Sequence, residues 1–297
     1  MNVFVTGASG FVGSAIVNEL IGAGHSIVGL ARSEASANKL LAAGARVHRG
    51  DLQDLDSLRD GATGADGVIH AGFVHDFSRF EEVCEIDRIA IETMGAVLAS
   101  SNRPFIVTSG TALVRPGVLA TEDMSNQPDP ARFPRVSESA GLAFAVQGVR
   151  ATAIRLSPSV HGEGDAHGFI PILINIARQK GVAAYIGEGL NRWNAVHRLD
   201  AAHLYRLALE HGEAGARYHA VGDEAITLRA IAEAIGKKLN IPTVSISPEE
   251  APAHFGWFAA FAAVDCPASS QITQERLDWH PVGPSLLDDL AGSVYFS

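Results

Sequence analysis

Thr6-Gly7-Ala8-Ser9-Gly10-Phe11-Val12-Gly13 lies between a short apolar run, Asn2–Thr6, and a helical pattern, Phe11–Ala23. The run reads as a buried strand, and Phe11, Ile16, Leu20 and Ile21 spread along the inner side of the helix. Gly7 permits a tight turn, Gly10 lets the backbone approach a pyrophosphate, and Gly13 lets the helix pack closely on the strand. The start of the helix offers unpaired N–H groups and a partial positive charge to an anion. Glycines at positions 7, 10 and 13 inside a strand–turn–helix predict a dinucleotide loop, which Ser9, Phe11 and Val12 complete.

Beyond this loop, Ser26–Ala31 reads as a second strand, Glu34–Ala43 as a second helix and Arg46–Arg49 as a third strand. Gly67–Ala71 and Phe105–Ser109 are further strands, separated by a long helical pattern over Glu81–Ser100. Val149–Leu156 and Tyr218–Val221 also read as strands, and Asp200–Glu210 and Leu228–Leu239 as helices. Strands alternating with helices predict an α/β chain: a Rossmann-type doubly wound parallel sheet, with ligands beyond the carboxyl ends of its strands. Residues 1–157 are expected to form the dinucleotide-binding domain, completed by about 195–221. Residues 158–194 and 222–297 are expected to form a smaller C-terminal α/β substrate-binding lobe. Its glycines and prolines cluster in Pro158–Gly168 and Pro242–Pro252, which read as loops.

The 297 residues are 47% hydrophobic and 19% charged, a globular composition that excludes disorder and coiled coil. Lys+Arg total 23 against Asp+Glu 33, a net charge of -10, so neither nucleic acid nor an anionic membrane is an expected partner. Cys84 and Cys266 lack His or Cys neighbours at metal spacing, which excludes a zinc ribbon or disulfide framework, and no metal is expected. No cationic segment precedes an apolar stretch at the N-terminus, and no uncharged apolar run reaches membrane-spanning length. A cytoplasmic protein is expected.

The glycine spacing resembles that of the short-chain dehydrogenase/reductase superfamily, in particular its atypical or extended branch, the NAD-dependent epimerase/dehydratase-like family. Gly50-Asp51-Leu52, His70-Ala71-Gly72 and Pro158-Ser159-Val160-His161-Gly162 continue the resemblance. So do Val196-His197-Arg198-Leu199-Asp200-Ala201-Ala202 and Leu277-Asp278-Trp279-His280-Pro281. The resemblance implies that Asp51 faces the adenine, with Leu52 beside it, and that Ala71, Gly72 and Phe73 line the adenine ribose. It also implies that Thr108 touches the cofactor and that Pro158, Ser159 and Val160 lie beside the nicotinamide carboxamide.

An NAD enzyme usually places a carboxylate at the end of its second strand, where it accepts from ribose hydroxyls. Here Gly29-Leu30-Ala31-Arg32-Ser33 carries no acid before Glu34. A carboxylate would repel a 2′-phosphate, whereas Arg32 can grip it and Ser33 can donate to it. NADP is the expected cofactor, with NAD the alternative.

Members of the family usually move the proton with a Tyr-x-x-x-Lys pair, assisted by a Ser or Thr after the fifth strand. The tyrosines here are Tyr185, Tyr205, Tyr218 and Tyr295, none with a Lys four positions on, and no Tyr or Lys lies between strand five and Arg155. Counting back from Val149–Leu156, Arg135 falls near the Lys position and Ala131 near the Tyr position. An Arg can hold a ribose hydroxyl and stabilise a developing alkoxide, but it stays charged and is a poor proton donor. Ser109 and Thr111, in Thr108-Ser109-Gly110-Thr111, are the expected carbonyl-polarising hydroxyls, although the family position itself falls on Gly110. His75 and His161 are further proton-transfer candidates, and Glu138, one turn from Arg135, is a candidate ion-pair partner for it.

The Pro158–Phe169 loop and His254-Phe255-Gly256-Trp257-Phe258-Ala259-Ala260-Phe261 are expected as walls of a substrate pocket. The aromatic stretch reads equally as a dimer surface or a buried helix, and Arg192 and Asn194 are placed to face a polar substrate group. Three functions follow: an NADP(H)-dependent oxidoreductase reducing a small carbonyl compound, a nucleotide-sugar epimerase or dehydratase, or a non-catalytic NADP-binding redox sensor. The expected partners are a small-molecule substrate and, in a homodimer, a second copy of the chain.

Overall fold

The computed structural model describes residues 1–125 and 134–296, so Ala131, the residue at the expected Tyr position, lies outside the described residues. The chain runs β1 (Asn2–Thr6), α1 (Phe11–Gly22), β2 (Ser26–Ala31), α2 (Glu34–Ala42), β3 (Arg46–Arg49), α3 (Leu55–Thr63) and β4 (Gly67–His70). It continues through α4 (Phe80–Leu98), β5 (Pro104–Gly110), α5 (Ser137–Leu142) and β6 (Arg150–Leu156). Next come β7 (Ser159–His161), α6 (Phe169–Lys180), β8 (Ala183–Ile186), β9 (Arg192–His197), α7 (Arg198–His211) and β10 (Arg217–Ala220). The last part holds β11 (Asp223–Thr227), α8 (Leu228–Leu239), β12 (Thr243–Ile246), α9 (Ala251–Phe255), α10 (Ala259–Ala262), α11 (Gln271–Leu277) and α12 (Leu286–Ala291).

Seven strands form one sheet in the order β10-β6-β5-β4-β1-β2-β3. Every pairing in it is parallel, with Val3 opposite Ile27 on one side and Val5 opposite Ile69 on the other. Val3, Phe4 and Val5 are fully buried, as a strand must be when helices cover both faces of a parallel sheet. Phe4, Leu58, Ile91, Met94, Phe105 and Phe144 fill one face beneath α3 and α4. Ile16, Leu20, Leu204, Tyr205 and Trp279 fill the other beneath α1 and α7. The strand order reverses between β1 and β4, which puts a crevice at the carboxyl ends of the central strands.

The smaller sheets are β11-β9-β7 and β12-β8, and the core around them is built on Ile170, Trp193, Ile231, Phe258 and Leu286. Two stretches read as loops carry strands instead. β7 lies within Pro158–Gly168 and pairs parallel with β9, and β12 lies within Pro242–Pro252 and pairs parallel with β8. Strands this short owe their order to the neighbour, so their own sequences carry little signal. α6 follows the Pro158–Gly168 loop, and Pro171 is its third residue, where no intrahelical N–H is needed. Among the described residues no helix is long and apolar enough to cross a membrane.

Candidate functional site

Gly7 adopts φ +68°, and a Cβ there would lie 2.6 Å from the Ala71 carbonyl oxygen. The turn after β1 therefore sits directly on the end of β4, and Leu52 lies against Gly72 from the far side. Gly13 would place a Cβ 2.0 Å from the Gly7 oxygen, so the first turn of α1 packs on the loop with no room for a side chain. Gly10 differs: it is exposed, its backbone is extended, and a Cβ would meet only the Gly7 oxygen at 3.2 Å. As the N-cap of α1 it offers no side-chain acceptor, so the N–H groups behind it stay open to an anion. Half-buried Ser9, Phe11 and Val12 surround this opening. The cradle fits a dinucleotide pyrophosphate.

Arg32 and Ser33 follow β2 and are exposed, with Ser33 accepting from the Ser36 N–H as the cap of α2. Register pairs Ala31 with Arg49 at the end of β3, and Arg49 holds the first acid, Glu34, at 2.7 Å. Two arginines thus stand at this strand end while the nearby carboxylate is engaged. Arg49 is not legible as a site residue from sequence, because its place depends on the pairing of β2 with β3. Asp51 accepts from the Gln53 and Asp54 N–H groups through one oxygen, a turn leading into α3.

Arg135 lies half-buried just before α5, its guanidinium 4.2 Å from the centre of the Phe73 ring. Its Nε donates to the Ser137 hydroxyl at 2.9 Å and its Nη2 to the Thr108 carbonyl at 3.2 Å. Nη1 has no hydrogen-bond partner among the described residues. Thr108 itself donates to the His70 carbonyl and accepts from Tyr205, a fully buried phenol on α7 whose pKa burial pushes up. Ser109 is buried at the same strand end. The Thr111 hydroxyl hydrogen is shared between Asn194 Oδ1 at 3.0 Å and the Leu156 carbonyl at 3.3 Å, so it braces β5 against β6 and β9. The structure thus brings Phe73, Thr108 and Arg135 together, with Ser109 buried next to Thr108 in β5, while Thr111 is turned toward the neighbouring strands.

Glu138 does not pair with Arg135. It turns inward, 3% exposed, and takes two hydrogen bonds from Arg155 and one from Arg217, all at 2.7 Å. Burial alone would raise its pKa, but the bonds and charges of the two arginines hold it below the usual carboxylate range. Arg155 also donates to His219 Nε2, whose pKa burial and that guanidinium depress to about 4. Glu138→Gln would leave the fully buried Arg155 without its counter-charge, an expected loss of about 3–5 kcal/mol in unfolding free energy. Because the native pKa is depressed, this stabilisation is complete above the ordinary glutamate range and fades as pH falls through the native value. Urea denaturation of both chains at several pH values checks it; equal midpoints would contradict the cluster's structural weight.

Of the remaining candidates, His75 shares the Phe73 ring with Arg135, and the others are spent internally. His75 is exposed, its ring edge-on to Phe73, and desolvation and the Arg135 charge both lower its pKa. His161 is fully buried, with Nδ1 bonded to Asp289 at 2.7 Å; among the described residues neither its Nε2 nor the buried Ser159 hydroxyl two residues before has a partner. Pro158 and Val160 are half-buried, Val160 against the core of the main sheet. Arg192 is held bidentate by Asp265, and Asn194 donates to the Cys266 carbonyl, so neither is aimed at a substrate. In the aromatic stretch Phe255 and Phe258 are buried around Trp193 and Phe169, which favours the buried reading, and Trp257 faces outward.

The sequence profile of the NAD dependent epimerase/dehydratase family matches residues 3–221. An uncharacterized protein of Schizosaccharomyces pombe is 52% identical over 297 residues, covering 100% of both chains. The 4-hydroxy-2-methyl-3-oxo-4-farnesyl-3,4-dihydroquinoline-1-oxide ketoreductase of Stigmatella aurantiaca is 26% identical, covering 90% of this chain and 84% of its own. A dTDP-glucose 4,6-dehydratase double mutant from Streptomyces venezuelae, solved with NAD and DAU bound, shares the fold at TM-score 0.78 and 20% identity, over 99% of this chain and 96% of its own. The profile match, the full-length relative and the glycine cradle at the head of a parallel sheet agree: the chain belongs to the NAD-dependent epimerase/dehydratase family, and is an NAD(P)-dependent enzyme of the oxidoreductase type.

Proposed function

We propose that this enzyme uses NADP(H) to reduce a small carbonyl compound. The observation that carries the reading is Arg135, a guanidinium fixed at the end of β5 in a stretch with neither Tyr nor Lys. Epimerases and dehydratases of sugars need a base that takes a proton from the substrate as hydride leaves its carbon, and a permanent cation cannot be that base. Carbonyl reduction asks for less. A reduced nicotinamide bound in the cradle would supply the hydride, leaving negative charge to develop on the carbonyl oxygen. Arg135 meets the charge developing on that oxygen, Ser109 lies at the same strand end to polarise it, and water supplies the proton. The ketoreductase name of the Stigmatella aurantiaca relative supports this class. Screening aldehydes, ketones and quinones with NADPH at 340 nm tests it; NADP(H) binding with no turnover of any carbonyl would favour the redox sensor.

Arg32, Ser33 and Arg49 support the choice of NADP. Charge-assisted bonds to a phosphate are worth roughly 1.5–3 kcal/mol, so NADPH should bind about ten- to hundredfold more tightly than NADH. Arg32→Asp should reverse or abolish that preference. Fluorescence titration reads both constants, and equal values in the native protein would overturn the assignment.

A further inference from the structure

The buried stripe of α4 is apolar except at Asp87, which lies between Val83 and Ala90. Asp87 is 1% exposed, as are His70 and Ser137. A carboxylate in such surroundings is costly unless both oxygens are bonded and its charge is answered. Both oxygens are bonded. Oδ1 accepts from His70 Nε2 at 3.1 Å, and Oδ2 accepts the Ser137 hydroxyl hydrogen. A carboxylate only accepts, so His70 Nε2 and the Ser137 hydroxyl are the donors in these two bonds. Ser137, having given its hydrogen, accepts from Arg135 Nε at 2.9 Å. His70 Nδ1 is hydrogen-bonded to the Thr6 hydroxyl at 2.8 Å, accepting from it when the imidazole is neutral, and Thr6 Oγ1 accepts from the Gly72 N–H at 3.2 Å.

We propose that Asp87 is a positioning residue: through Ser137 it fixes the Arg135 guanidinium over Phe73, while His70, itself bonded to Thr6, satisfies its other oxygen. The proposal rests on the reading of Arg135 given under the proposed function. It explains why a buried acid stands on an otherwise apolar stripe. Burial raises the Asp87 pKa, yet the bonds from His70 and Ser137 and the nearby Arg135 charge hold it below the ordinary range, so the carboxylate stays charged. An amide at this position would have to present N–H to His70 or to Ser137. Facing Ser137, it would donate where the carboxylate accepts, leaving the Ser137 hydroxyl hydrogen without its acceptor and the hydroxyl free to turn away from Arg135 Nε.

The test compares Asp87→Asn, Ser137→Ala, Arg135→Ala and the Asp87→Asn/Arg135→Ala double variant. Each is titrated with NADPH and with adenosine 2′,5′-bisphosphate, which lacks the nicotinamide ribose. Arg135→Ala is expected to weaken NADPH about tenfold, and Asp87→Asn and Ser137→Ala to weaken it about three- to tenfold. The double variant should be no weaker than Arg135→Ala alone, because Asp87 acts through that residue. Affinity for the bisphosphate should not move in any of them. Ser137→Ala keeps the test open should Asp87→Asn fail to fold, since it removes only the bridging hydroxyl. Equal losses for both ligands, or losses that multiply in the double variant, would make Asp87 a structural residue and overturn the proposal. Native NADPH affinity in Asp87→Asn and Ser137→Ala, beside a weakened Arg135→Ala, would overturn it while leaving the role of Arg135 standing. Native NADPH affinity in Arg135→Ala would remove its hold on the nicotinamide ribose, and this proposal with it, while its charge-stabilising role would stand or fall on kcat.

Discussion

Arg135→Ala is expected to cut kcat by about 10²–10³, the effect of removing a donor worth roughly 2.7–4 kcal/mol at a developing oxyanion. The loss should fall on kcat more than on KM, because the charge it meets exists only in the transition state. Arg135→Lys should retain part of the rate. It keeps a positive charge but loses the Nε–H to Ser137 and the flat face over Phe73. A guanidinium does not ionise at any accessible pH, so the native rate should lack the alkaline inflection that an ionising phenol gives. The pH profile of NADPH oxidation with any accepted carbonyl substrate shows both effects. Native turnover in Arg135→Ala would move the charge stabilisation elsewhere, with Ser109 the next residue to replace.

Gly10→Val should abolish measurable NADP(H) binding, a loss of more than about hundredfold, with the unfolding transition nearly unchanged. The backbone of Gly10 is extended, at φ -79° and ψ 178°, which any residue adopts. An added Cβ meets only the Gly7 oxygen at 3.2 Å, so the fold gives by a few tenths of an ångström. The branched side chain would instead stand in front of the open N–H groups of α1 and keep a phosphate away. Gly13→Val should behave in the opposite way, destabilising the fold, because its Cβ would lie 2.0 Å from the Gly7 oxygen. Calorimetric titration together with thermal unfolding separates the two variants. Unchanged affinity in Gly10→Val would show that these glycines serve only the turn.

Most of the scaffold was readable because parallel strands and their covering helices leave local traces. β1, β2 and β3 have the same bounds in sequence and structure, and α1, α2, α4, α7 and α8 agree to within two residues at each end. Each is written in an apolar run or a helical period a few residues long. β7 and β12 were not readable, since three or four residues become strands only when a neighbour supplies the hydrogen bonds. Glu138 shows a different failure. One helical turn suggested Arg135, but the helix turns that face inward, and the partners are Arg155 on β6 and Arg217 on β10. Charge pairs chosen by proximity in sequence hold on exposed helix faces, and this face is buried.

The sequence alone determined the doubly wound α/β class, the dinucleotide loop at its head, and the absence of a Tyr–Lys pair between strand five and Arg155. Only the tertiary structure decided what stands in that pair's place: Arg135 on Phe73, with Ser137, Asp87 and His70 behind it and Tyr205 beneath Thr108. The bonded partners are separated by 17 residues from His70 to Asp87, by 50 from Asp87 to Ser137 and by 97 from Thr108 to Tyr205. No period or motif spans such distances. The one trace was an acid on the apolar stripe of α4, and its meaning depended on which neighbours the sheet brought against it, because a buried carboxylate is stable only where the fold supplies donors for both its oxygens.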